Sequence, residues 1–86
     1  MPRFRKKPVV IEAQQFGGAN FGPMFDFCPD AEWNLDPITN LPILLINTRE
    51  GQMTASLNDW IIKGVQGEFY PCKPDIFKAT YERVEE

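Results

Sequence analysis

The sequence contains no histidine and only two cysteines. Histidine is the usual general base near neutral pH, so Ser–His and Cys–His catalytic arrangements cannot be built from these residues. A structural zinc site needs a full tetrahedral set of ligands, and carboxylates would have to complete it here. We therefore expect a protein that is not an enzyme and that holds no metal or other cofactor.

Long apolar runs are also missing. The longest uninterrupted run is Ile43 to Ile46, whereas a membrane-spanning helix needs roughly 20 apolar residues. The basic start of the chain leads directly into Pro8 without an apolar signal segment. No membrane association is expected, and the expected location is the cytoplasm of the cell that makes the chain.

Aromatic residues are plentiful by contrast. They make up 13% of the chain, and apolar residues make up 43%, which is typical of a folded domain and not of a disordered tail. Because 86 residues are too few for two separate cores, residues 1–86 are expected to form one domain. The net charge of −3 is modest, and an acidic total disfavours a protein that coats nucleic acid through general electrostatics.

The first half of the chain predicts one strand and one short helix. Residues 8–16 are rich in β-branched side chains, as in a strand. The strand residues expected to face the core are Val9, Ile11 and Ala13. After a glycine-rich break, Asn20 is a candidate cap for a helix. The apolar side chains that share one face of this helix at 3.6-residue spacing are Phe21, Met24, Phe25 and Cys28. Residues 29–42 predict an irregular connecting segment that contains a short strand near residues 35–38.

The second half predicts two hairpins and a second helix. Residues 42–49 and 52–56 form the first hairpin, and residues 60–63 and 68–70 form the second, which Pro71 is expected to end. Pro74 suits the first position of a helix that turns Ile76 and Phe77 inward, and residues 81–84 predict a closing strand. The expected fold class is α+β, with a small, curved, mixed or mainly antiparallel sheet packed on two short helices. A half-open barrel fits the same pattern.

Several strings in the second half, together with the start of the chain, resemble a known family. The strings are DWIIKG at residues 59–64, GEFYPCKPDIF at 67–77, TYE at 80–82 and RKKPV at 5–9. They resemble small phage and prophage proteins related to the PGDYG domain. At the motif that names that domain this chain reads LNDWI, and only Asp59 is shared. The resemblance implies a phage accessory protein made in the cytoplasm of a bacterial host, and it implies no catalytic residue.

The second hairpin provides the main candidate for a binding surface. Adjacent strand residues point to opposite faces, so Phe69 and Tyr70 cannot both face the core. An aromatic and basic surface beside this hairpin would suit a host or phage protein, although core packing is an alternative for Trp60. The candidate residues for partner binding are Trp60, Lys63, Tyr70 and Lys73.

A nucleotide or nucleic-acid site is the alternative reading. Cations and Phe4 lie together at the start of the chain, where an aromatic ring can stack on a base. Gly17 and Gly18 follow a strand and precede a helix, which is a context for phosphate binding by backbone amides. The cations expected to share one side of an extended arm are Arg3, Arg5 and Lys7. Each segment also has a purely structural interpretation. The cations at the start of the chain would keep it soluble and protect a sheet edge, and the glycines would form a simple strand-to-helix turn.

Two further features have mainly structural interpretations. The carboxylates Asp26, Asp30, Glu32 and Asp36 are dense in the sequence but lack the spacing of a calcium loop, so a solvated acidic segment is expected. Cys72 precedes Lys73, whose charge could lower the pKa of the thiol, but a nucleophile would also need a partner for proton transfer.

We predict that both cysteines are reduced and dispensable for folding. The reason is that two thiols in a chain without a secretory signal have no oxidising compartment to pair them. Replacing Cys28 and Cys72 with Ser or Ala should leave the circular dichroism spectrum unchanged, with at most a packing loss at Cys28. An intramolecular disulfide found by mass spectrometry of mildly purified protein would contradict the prediction.

Overall fold

The computed structural model describes residues 1–5 and 7–84. Within these residues it contains six strands and two short helices. In chain order the elements are β1 (Glu12–Gln15), α1 (Phe21–Phe27), β2 (Glu32–Leu35), β3 (Pro42–Thr48), β4 (Gly51–Ala55), β5 (Trp60–Lys63), β6 (Phe69–Cys72) and α2 (Pro74–Thr80).

The strands form two three-stranded antiparallel sheets, so the α+β class is confirmed. Sheet A has the order β1-β5-β6, and sheet B has the order β2-β3-β4. Over the part of the chain that the structure describes, the sheets do not close into a barrel. The single curved sheet expected from the sequence is therefore divided in two, because the chain turns sharply between β4 and β5 and those strands do not pair.

The core lies between α1 and the facing sides of the two sheets. The register places Leu44 opposite Ala55, and both side chains are buried in the core with Ile46 and with Ile61 of sheet A. Met24 and Cys28 are buried there too, as the helical spacing predicts, while Phe21 and Phe25 pack against the core in half-buried positions. The prediction for the apolar face of α1 is confirmed.

The first strand is shorter than its sequence predicts. β1 begins at Glu12, which is opposite Lys63, the last residue of β5. Because β5 spans only four residues, residues 8–11 have no neighbouring strand to pair with. Val9 is consequently exposed instead of buried, and its expected place in the core is wrong.

The connection between the second and third strands also differs from the expectation. β2 occupies Glu32–Leu35, so the predicted strand at residues 35–38 is wrong. Asp36 Oδ1 accepts hydrogen bonds from the N–H groups of Ile38 and Thr39 at 2.8 and 3.1 Å, which folds this segment into a turn. These bonds hold the pKa of the Asp36 carboxyl below its usual range.

Three expectations near the end of the chain need correction. Pro71 lies inside β6, opposite Ile61, and is tolerated because β6 is a terminal strand of sheet A. Ile76 is exposed, and Phe77 is half-buried, because α2 covers the sheet with one face of only two turns. Residues 81–84 are described by the structure and form no strand.

Among the described residues, no helix has the length and apolarity to cross a membrane.

The loop between β1 and α1 is held by Asn20. Its Oδ1 accepts a hydrogen bond from the Gly17 N–H at 2.8 Å, and its Nδ2 donates to the Gln15 carbonyl at 2.9 Å. Asn20 does occupy the N-cap position, but its side chain closes the preceding loop instead of capping the helix. Gly18 in this loop has a φ of 87° and approaches the Leu57 side chain.

We predict opposite effects of alanine at two glycines near α1. Gly18→Ala should lower the free energy of unfolding by about 1–3 kcal/mol, because a Cβ is strained at this φ and would meet Leu57. Gly22→Ala should be neutral or raise it by about 0.5–1 kcal/mol, because this helical position leaves open space around a Cβ. Urea denaturation measures both values, and equal effects would contradict the placement of the loop.

Candidate functional site

A buried carboxylate organises the turn between β4 and β5. Asp59 is only 2% exposed, and its Oδ2 accepts hydrogen bonds at 2.9 Å from both the Ser56 N–H and Lys73 Nζ. The same turn is bonded to the end of β1, since the Phe16 N–H donates to the Asp59 carbonyl at 2.8 Å. Asn58 takes a positive φ of 71° to complete the turn. The Asp59–Lys73 pair thus joins the start of β5 to the residue that precedes α2.

The start of α2 at this pair places the helix over the outer face of sheet A. Pro74 is suited to the first helical position by its fixed φ, and Lys73 is the N-cap residue. The Phe77 ring then stacks on Trp60 with a centroid distance of 4.2 Å and an interplanar angle of 7°. Tyr81, four residues later, packs against Phe77 at 5.1 Å. Three aromatic side chains therefore form one continuous row.

Tyr70 belongs to the same face of sheet A. The register places it opposite Ile62, two residues from Trp60, so these side chains share one side of the sheet. Burial, with a further contribution from the adjacent Tyr81 side chain, raises the pKa of Tyr70 to about 12. The phenol therefore stays protonated at physiological pH.

An open groove lies beside this aromatic row. Its volume is about 560 Å³, its floor includes Trp60 and Phe77, and its walls are residues 9–13 and 81–84. We call it the Trp60 groove. Val10 and Val84 stand exposed in the two walls. The groove combines a fixed aromatic floor with walls from two distant parts of the chain, which carry apolar side chains together with the charged residues Glu12, Glu82 and Arg83.

The four residues predicted to bind a partner do not form one open patch. Trp60 and Tyr70 share the outer face of sheet A and are half-covered by the side chains of Phe77 and Tyr81. Lys63 is exposed on the other face, opposite Phe69. The charge of Lys73 is engaged by Asp59, although 58% of its side chain remains accessible.

The sequence interpretation missed the walls of the groove and assigned Phe77 to the core. One signal was available, because Phe77 and Tyr81 are spaced to share a face of a helix. The contribution of Val10 had no comparable signal, since its alternation pattern predicts an ordinary strand.

Of the residues predicted for a phosphate or nucleic-acid site, the cations are accessible but the glycine loop is already occupied by its own hydrogen bonds. Arg3, Arg5 and Lys7 are exposed, and Lys6 lies outside the described residues. The Gly17 amide, by contrast, already donates to Asn20. Gly18 has the positive φ of a loop residue, and the helix that follows has only seven residues.

Neither thiol is activated for nucleophilic chemistry. Burial raises the pKa of Cys72, and the nearby carboxylates of Asp59 and Asp75 raise it further, which is opposite to the expected effect of Lys73. Burial likewise raises the pKa of Cys28. Both cysteines are free thiols. Within residues 1–5 and 7–84, no three acidic or cysteine side chains are grouped as metal ligands would be.

Comparison with known proteins finds no family model, no curated protein and no solved structure that matches this chain. The resemblance to the PGDYG-related phage proteins therefore stays a prediction from the sequence.

We predict that Asp59 contributes more to folding than its partner Lys73. Asp59→Ala should lower the free energy of unfolding by about 2–3 kcal/mol, because it removes a buried charged acceptor and leaves the Ser56 N–H without its bond. Lys73→Met should cost less, about 1 kcal/mol, because the Asp59 carboxylate keeps its bond from the Ser56 N–H and water can take the place of the ammonium, whose side chain is 58% accessible. Urea denaturation gives both values.

Lys63→Met is the matched control, because Lys63 is an exposed lysine at the end of β5 and belongs to neither of the two ion pairs found among the described residues; its effect should stay within about 0.5 kcal/mol. A loss for Lys73→Met that equals or exceeds the loss for Asp59→Ala would contradict the proposed role of the carboxylate.

Proposed function

We propose that this protein is a phage accessory protein that acts as a non-enzymatic binding module and holds a segment of a host or phage protein in the Trp60 groove. The observation that carries the proposal is the groove itself, which is about 560 Å³ in volume and is floored by stacked Trp60 and Phe77 rings. Binding sites of this kind are concave, mostly apolar and formed before the ligand arrives.

The floor of the groove is well suited to give binding energy. Trp60 is fixed on β5, and Phe77 is fixed by α2, whose start is tied to Asp59 through Lys73. Side chains that are already ordered lose little entropy when a partner binds. Large aromatic side chains in such positions are the residues in which interface energy concentrates.

The edge of sheet A indicates the conformation of the bound segment. β1 is the terminal strand of that sheet, and residues 9–13 form one wall of the groove. An extended segment can add to such an edge through backbone hydrogen bonds while its alternate side chains enter the groove. We infer that the partner contributes an extended segment with apolar residues at every second position.

Two titratable side chains that neighbour the groove lining are not shifted towards a nucleophilic form. Burial raises the pKa of Tyr70 to about 12, and it also raises the pKa of Cys72, which lies opposite Trp60. Nucleophilic cysteines have lowered pKa values, so these shifts give no support to a catalytic role for either residue.

The nucleic-acid alternative has less support. It rests on the exposed cations of the arm, Arg3, Arg5 and Lys7, because the Gly17 amide is already bonded within its loop. The net charge of −3 also opposes general attraction to phosphates.

We predict that a charge introduced at Val10 in the groove wall weakens partner binding without unfolding the domain. Val10 is 74% exposed, so Val10→Arg should change stability little and should raise the Kd of the captured partner about tenfold or more. Val65→Arg is the matched control, because Val65 is 66% exposed in a turn away from the groove lining.

The experiment is affinity capture from a bacterial lysate with the parent protein, the Val10→Arg variant and the Val65→Arg variant. The captured partner is then purified and titrated against each of them. Binding is read from Trp60 fluorescence in a Trp33→Phe background. Equal affinity of the parent, Val10→Arg and Val65→Arg proteins, with unchanged Trp60 emission, would refute the assignment of the groove.

A further inference from the structure

The apolar interior of the molecule is divided into two layers of unequal size. The larger layer is the core between α1 and the two sheets, which includes Phe16 and Ile61. The smaller layer lies on the outer face of sheet A, where Ile62 is 1% exposed but does not belong to the core. The two isoleucines are separated because successive residues of β5 point to opposite faces. Trp60 and Tyr70 share the outer face with Ile62.

The helix over the smaller layer is weakly attached to the domain. α2 has seven residues, and none of its side chains is buried. A helix of this length is marginal in water by itself, so α2 depends on its contacts with sheet A. These include the stack of Phe77 on Trp60 and, at the start of the helix, the pair of Lys73 with Asp59. Over the described part of the chain, neither α2 nor residues 81–84 place a side chain in the core.

A segment that has few buried apolar contacts opens locally at a lower free energy than the rest of a domain. Separation of α2 from sheet A would break the aromatic stack and the ion pair, but it would remove no side chain from the core. The turn at Asp59 would keep its bond from the Ser56 N–H and its bond to the Phe16 N–H. The larger layer therefore contains all the contacts needed to stay folded while the smaller layer opens.

We propose that α2 and residues 81–84 form a lid on sheet A, which opens and closes as one unit while the core stays folded. The closed form predominates, because the stack and the ion pair hold the lid at two points. In the open form Trp60, Ile62 and Tyr70 are uncovered together as an apolar face. The Trp60 groove then loses Phe77 from its floor and residues 81–84 from one wall.

The lid gives the groove a means of regulation. Because the groove exists only in the closed form, a partner that occupies it holds the lid closed, and a change that opens the lid weakens the partner. This consequence rests on the proposed function of the groove. The opening itself is a property of the free domain, so it is tested without a partner.

Hydrogen exchange of the free protein, followed by NMR, is the test. The Phe77 and Tyr81 amides report on the lid, because they donate to the carbonyls of Lys73 and Phe77 at 2.8 and 2.9 Å. The Phe16 and Cys28 amides report on the core, where both side chains are buried. The two lid amides should share one opening constant, at least about tenfold larger than that of the core amides. Their exchange should also depend less on urea, because lid opening exposes less surface than unfolding.

Variants in each layer separate the two openings. Ile46→Val trims the core and should raise the opening constant of the core amides severalfold while leaving that of the lid amides unchanged. Phe77→Ala removes the stack and should raise the opening constant of the lid about tenfold or more, and Lys73→Met should raise it about fivefold. Ile76→Ala is the matched control on the same helix, because Ile76 is 56% exposed; it should change the lid constant by no more than about twofold.

Three results would overturn the proposal. Equal opening constants for the lid and core amides, or a response of the lid amides to Ile46→Val, would show that the domain opens only as a whole. Clearly different constants at positions 77 and 81 would show that the helix frays from its end instead of opening as a unit. A response to Ile76→Ala as large as the response to Phe77→Ala would remove the stack as the contact that holds the lid.

Discussion

The Asp59 carboxylate occupies the turn where the chain leaves sheet B and enters sheet A, and the surrounding structure depends on how that charge is satisfied. A buried carboxylate is costly unless it accepts hydrogen bonds and faces a cation. The Ser56 N–H fixes the turn, and Lys73 brings the start of α2 to the same point. One buried group therefore joins the start of β5 to the start of α2.

The position of α2 then determines the candidate site. With its start fixed beside Asp59, the helix lies over the outer face of sheet A and places Phe77 on Trp60. The residues after α2 run opposite the residues that lead into β1, and the space between them is the Trp60 groove. The groove is thus a consequence of the ion pair and of the shortness of β5, which leaves residues 9–11 unpaired.

The molecule presents apolar surface in two places. The Trp60 groove lies on the outer side of sheet A and is bordered by the terminal strand β1. Trp33 on β2 is 49% exposed, and its edge meets the half-buried Phe21 ring of α1. Charge is segregated along the sequence as well, because residues 8–48 contain five acidic residues and no Lys or Arg, whereas Arg3, Arg5 and Lys7 precede them.

The sequence by itself determined the features that depend on neighbouring residues. The turn at Gly51, the hairpin strands β3 and β4, the limits of β5 and the start of α2 at Pro74 were all predicted, because alternation, glycine and proline act over a few positions. The burial of Met24 and Cys28 followed from helical spacing. Lys73 and Trp60 were singled out, but their contacts were not predicted.

Only the tertiary structure decided which of these elements meet. The end of pairing at Glu12 depends on the length of β5, which lies far along the chain, so the exposure of Val9 had no local signal. The same holds for the Asp59–Lys73 pair and for the Trp60–Phe77 stack, which join residues 14 and 17 positions apart. Local patterns determine whether a segment forms a helix, a strand or a turn. Burial, ion pairing and the formation of the groove depend instead on contacts between distant segments, and a local pattern does not specify which segments meet.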